Sequence, residues 1–129
     1  MSIHSRLIHT VAALGFVMSG PAQALSLVPY EAQALANAQA ADLPVALHFH
    51  AAWCPTCRAQ TKSLEAMKSE PDLNITVFVV DYDKETELKK LHKVRTQSTL
   101  IVFRGKTEKA RQIGSAAPDD LRTSLRSAL

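Results

Sequence analysis

Val45-Ala46-Leu47-His48-Phe49-His50-Ala51-Ala52-Trp53-Cys54-Pro55-Thr56-Cys57 decides the fold. An apolar run of strand length follows Pro44 and passes directly into a Cys-x-x-Cys loop. Pro55 suits the first position of a helix, so the loop opens one. The chain holds only these 2 cysteines. Two thiols at this spacing, at the first turn of a helix, can close a small reversible disulfide. Unpaired backbone N–H groups and the helix dipole both favour a thiolate there. Half a zinc site has the same spacing, but no second cysteine pair completes a four-cysteine site.

Downstream of the loop, residues 57–69 continue as a helix with Leu64 and Met67 facing inward, and Pro71-Asp72 ends it. Ile75-Thr76-Val77-Phe78-Val79-Val80 is a nearly continuous β-branched run, as in a strand buried on both faces. Residues 84–93 read as a helix carrying both signs of charge, with Glu85 and Lys89 one turn apart on a solvated face. Thr99-Leu100-Ile101-Val102-Phe103 is a strand. Arg104-Gly105-Lys106 is a turn, and residues 107–113 return as a more polar edge strand. Pro118-Asp119-Asp120 opens a last helix with Leu121 and Leu125 one turn apart. Upstream, the alanine-rich residues 30–40 form a helix. Helices between strands imply parallel pairing, and the Gly105 turn adds an antiparallel strand. The expected fold class is α/β, a mixed central sheet with helices on both faces.

The N-terminus reads as a secretory signal peptide over residues 1–24. Arg6 supplies the positive segment, an apolar run extends from Leu7 to Met18, and Ala22-Gln23-Ala24 forms an Ala-x-Ala cleavage site. The run is short for a membrane span, and His9 and Thr10 interrupt it. Residues 25–129 would then be one exported domain, in the periplasm or, alternatively, secreted. Removal of the prefix lowers the net charge from +3 to about +2, an excess too mild to suggest nucleic acid. A monomer without a cofactor is expected. In an oxidising compartment two cysteines can form a structural disulfide. A bridge across two residues closes almost no loop, however, so reversible chemistry explains the spacing better.

The element order and several local motifs together resemble the thioredoxin family. The motifs are Phe49-His50-Ala51-Ala52-Trp53-Cys54, Val80-Asp81-Tyr82-Asp83, Thr99-Leu100-Ile101-Val102-Phe103 with Gly105, and Gly114 before the last helix. The resemblance covers residues 43–125. It implies a thioredoxin fold and thiol–disulfide exchange on protein thiols and disulfides. It also implies that Cys54 is the nucleophile and Cys57 the resolving thiol of a Cys54–Cys57 redox disulfide. Three positions depart from the family pattern. Pro55-Thr56 separates the cysteines where Gly-Pro is usual, and His48 stands where a buried aspartate is usual. Ser98, between Gln97 and Thr99, takes the place of a cis-proline. Serine restores an N–H and frees φ, so this loop should be more mobile, with the Gln97–Ser98 peptide expected trans. Ser98→Pro is then expected to raise catalytic efficiency, if the site accepts the cis bond.

Trp53, the only tryptophan, is either core or a lid beside the sulfur. His48 and His50 share one face of their strand. His48 is either a buried, hydrogen-bonded neutral ring or the acceptor of the Cys57 proton. Arg58 is either a solvated side chain or a minor stabiliser of the thiolate. Two rival readings belong to other classes. A copper- or zinc-binding module would use Cys54, Cys57 and one of His48 or His50. A redox-inert interaction domain would use neither thiol. Reductant, oxidant and isomerase share all these residues. An exported reductase would draw electrons from a membrane thiol carrier.

Overall fold

The computed structural model describes residues 24–129. The expected signal peptide lies outside them except for its last residue. Five strands and four helices follow one another as β1 (Ser26–Pro29), α1 (Ala32–Ala40), β2 (Pro44–His50), α2 (Pro55–Ala66), β3 (Thr76–Asp81), α3 (Thr86–Leu91), β4 (Thr99–Arg104), β5 (Thr107–Ile113) and α4 (Pro118–Arg126). One sheet holds all five strands in the order β1-β3-β2-β4-β5. β1 and β2 run parallel to β3, whereas β4 runs antiparallel to β2 and to β5. The mixed sheet expected from the element order is present.

Alternation along the strands sorts the core into two layers. Ala46, Val77, Leu100 and Val102 pack on Leu64, Leu121 and Leu125 of α2 and α4. Val45, Leu47, Phe49, Val80 and Ile101 face the other way, onto Leu35 of α1 and Leu88 of α3. His48 falls between Leu47 and Phe49 in this alternation. Its ring therefore enters the α2 layer, where it is fully buried.

Four details differ from the expectations. β1 was not anticipated, because four residues ending in Pro29 carry little periodicity. The helix expected through Ser69 tightens to a 3₁₀ turn at Met67–Ser69. α3 is only Thr86–Leu91, and Lys93 at φ 55° ends the segment. Lys89 stacks over the Tyr82 ring, 3.9 Å from its centroid, while Glu87 pairs with Lys90 at 3.0 Å. Finally, a helix separates β3 from β4, yet β4 does not run parallel to the other central strands. Six helical residues span about 9 Å, while a six-residue strand spans about 20 Å. α3 is too short to carry the chain back along the sheet, so β4 starts at the end where β3 finished. Phe49 pairs with Thr99 and His50 with Asp81. The ends of β2 and β3 and the start of β4 thus meet at the cysteine loop.

Candidate active site

Cys54 is the N-cap of α2, with Pro55 in the first turn. Its sulfur accepts the Cys57 N–H at 3.1 Å, which occupies one of the donors a helix start leaves free. Proline has no N–H of its own to satisfy. Both cysteines are free thiols and both are buried. Burial pushes the Cys54 thiol up. Hydrogen bonds from Cys57, Ser98 and the backbone N–H groups of Cys57 and Thr56 outweigh it and bring the thiol below its ordinary value. Burial and the contact with Cys54 both push Cys57 up. The two shifts run in opposite directions, so the thiolate is favoured at Cys54 over Cys57.

The loop before β4 closes over these sulfurs. Ser98 is buried, and its hydroxyl lies 3.2 Å from Cys54 Sγ and 3.1 Å from Cys57 Sγ. Its backbone is left-handed, at φ 61°. The Ser98 N–H donates to Phe49 O at 3.0 Å, and its carbonyl accepts from the Gly114 N–H at 3.0 Å. No peptide bond among the described residues is cis, so the Gln97–Ser98 bond is trans, as expected. Thr99, also buried, ties the loop down by donating its hydroxyl to Thr96 O at 2.8 Å. The expectation of a freer loop meets a backbone held at both its N–H and its carbonyl. A proline at 98 cannot reach this φ and cannot donate to Phe49.

Gln60 completes the scaffold, and sequence reading missed it. It is fully buried in α2. Its Nε2 donates to Ser98 O at 3.0 Å and to Ser115 O at 2.9 Å. Carbonyls only accept, so the amide orientation is fixed, and Gln60 Oε1 faces His48 Nε2 at 2.9 Å. His48 Nε2 must then be the donor. This leaves Nδ1 buried without a hydrogen-bond partner. Burial drives the His48 pKa down to about 4; Gln60 opposes this and His50 adds to it. The ring is neutral at neutral pH. A usable signal was present: Cys57, Gln60 and Leu64 are spaced three and four apart, which puts Gln60 on the buried stripe of α2.

The rim is polar. Trp53 is 58% exposed, so it is not core, and its Nε1 donates to Asp83 Oδ2 at 2.8 Å. A cavity of about 310 Å³ opens between Trp53, His50 and the end of β3. Tyr82 packs against the cluster of Ala51, Cys54 and Cys57. Arg58 donates to Ala52 O at 2.9 Å. Among the described residues, no three His, Cys, Asp or Glu side chains form a group able to hold a metal ion. The ligand set of the metal-binding reading is not assembled.

The family model for Thioredoxin matches residues 29–127. The chain belongs to the thioredoxin family. It is similar to the thioredoxin of Chlamydia trachomatis, 32% identical over 77 residues, which is 60% of this chain and 74% of that one. The thioredoxin of Rickettsia bellii is 27% identical over 73 residues, 57% of this chain and 70% of that one. Among solved structures, Trxlp from Edwardsiella tarda superposes with a TM-score of 0.73 at 35% identity, covering 78% of this chain and 98% of that one. With the thioredoxin fold and both cysteines of the family motif in place, the protein is a thiol–disulfide oxidoreductase. Its substrates as a thioredoxin-family member are protein thiols and disulfides.

Proposed function

We propose that this protein is an exported oxidoreductase in which Cys54 attacks and Cys57 resolves. The observation that carries the assignment is the N-cap position of Cys54, whose sulfur accepts the Cys57 N–H at 3.1 Å. The Cys54 thiolate attacks one sulfur of a substrate disulfide. That bond breaks, a mixed disulfide forms, and the other substrate sulfur leaves as a thiolate that takes a proton from solvent. Cys57 then gives its proton to solvent and attacks Cys54 Sγ, which breaks the mixed disulfide and releases the second substrate thiolate. Two electrons pass from the dithiol to the substrate, and the protein is left with a Cys54–Cys57 disulfide. Trp53 flanks the nucleophile as a lid. Pro55 and Thr56 shape the turn, and Thr99 holds the Ser98 loop in place.

His48 acts in this reading as a neutral strut for Gln60 and not as the base for Cys57. A thiol pushed above its ordinary range would have to give its proton uphill to an imidazole with a pKa of about 4. The test is reduction of insulin disulfides by a small dithiol. Wild type should accelerate it and Cys54→Ser should not; a wild-type rate equal to that of the dithiol alone overturns the reading. Export rests on Arg6, the apolar run and Ala22-Gln23-Ala24. The proposed location is the periplasm, with a membrane thiol carrier as electron donor and a monomer as the working form. Mass spectrometry of the exported fraction should find a chain beginning at Leu25, and a full-length chain confined to the cytoplasm contradicts it.

A further inference from the structure

Ser98 places a side chain at a left-handed backbone position, where glycine or asparagine is more at ease. The backbone does not need the hydroxyl to stay there. Phe49, Gly114 and Gln60 hold the Ser98 N–H and carbonyl. The hydroxyl instead points at both sulfurs, at 3.2 and 3.1 Å. A hydroxyl has one proton to donate and lone pairs to accept with. A thiolate only accepts, and a thiol donates weakly. One arrangement bridges the pair: Cys57 S–H, which also lies 4.0 Å from Phe49 O, donates to the nearer Ser98 Oγ, and Ser98 O–H donates to Cys54 S⁻.

We propose that the Ser98 hydroxyl is a positioning group that bridges the two sulfurs of the reduced pair and shifts the couple toward a more oxidising potential. Reduction of the Cys54–Cys57 disulfide takes two electrons and one proton, and yields a thiolate at Cys54 and a thiol at Cys57. The bridge needs both products. Once the S–S bond forms there is no S–H to donate and no anion to accept, and disulfide sulfur is a weak acceptor. The hydroxyl therefore stabilises the reduced state more than the oxidised one, which raises the potential. Ser98 is one of the groups that lower Cys54; it also acts to lower Cys57, where burial and Cys54 outweigh it. The titratable groups packed against this pair are the two thiols themselves and Tyr82 from the β3–α3 loop. Gln60 lies between the Ser98 loop and His48.

The proposal rests on the exchange chemistry above, and its test separates the two. Ser98→Gly removes the hydroxyl while easing the left-handed backbone, and Ser98→Ala removes it while keeping the Cβ. For wild type and both variants, the Cys54 thiolate is titrated by its ultraviolet absorbance. The disulfide–dithiol equilibrium is measured against glutathione, and folding is checked by circular dichroism. The expected result in both variants is a higher thiolate midpoint and an equilibrium shifted about tenfold toward the disulfide, a potential lower by about 30 mV. If either quantity keeps its wild-type value in folded Ser98→Gly, the bridge is overturned. Insulin reduction by wild type is run alongside. Its presence with an unmoved midpoint removes only the role of Ser98, whereas its absence removes the exchange reading.

Discussion

A neutral imidazole in a protein interior ties stability to pH, and His48 is such a group. The folded state keeps it neutral down to about pH 4, whereas the unfolded chain takes up the proton near 6.5. Between those values the unfolded state binds more protons than the folded state, so stability rises with pH across that window. The contribution is present in full above pH 6.5 and is lost as the pH falls through about 4; its size is roughly 3 kcal/mol. His48→Gln keeps a donor for Gln60 Oε1 and does not titrate. Urea unfolding from pH 7 to pH 4 should show wild type losing roughly 3 kcal/mol more than this variant. Parallel losses in the two proteins would mean that His48 is not held neutral. The sulfur chemistry was legible at this scale because Cys54-Pro55-Thr56-Cys57 is local in the chain. The network beneath it was not. Gln60, Ser98 and Ser115 meet only when α2 and two loops come together.

At the scale of elements, the cysteine loop works because three chain ends converge. β2 delivers Cys54, α2 begins on it, and the loop before β4 lays Ser98 across it. That loop sets a prediction opposite to the one its sequence suggested. Ser98→Pro demands a negative φ where the backbone holds 61°, and it removes the bond to Phe49 O. It should cost roughly 3 kcal/mol or more, seen as a fall in Tm of at least about 10 °C. An unchanged Tm with higher turnover would mean that the loop rearranges readily to accept proline. Strands β2 to β5 and all four helices were readable from periodicity and from Pro55, Gly105 and Pro118. The direction of β4 was not, since it depends on how short α3 is, and Lys93 ends that helix without a sequence signal. β1 is an edge strand of four residues and gains its order from pairing with β3, not from its own pattern.

Across the whole molecule, one sheet with a helical layer on each face leaves its chemistry at a single end. Cys54 is only 2% exposed there, beneath a rim of Trp53, Tyr82 and the Ser98 loop. A substrate disulfide must therefore come to this end of the sheet, and small thiol reagents should react at Cys54 before Cys57. The division of labour between the two sulfurs is the central claim, and one trapping experiment tests it most directly. Cys57→Ser is incubated with a protein disulfide, quenched with acid, and examined by non-reducing electrophoresis and peptide mass spectrometry. The account predicts a stable adduct joined through Cys54, and none from Cys54→Ser under the same conditions. An adduct from Cys54→Ser joined through Cys57, with none from Cys57→Ser, would contradict it.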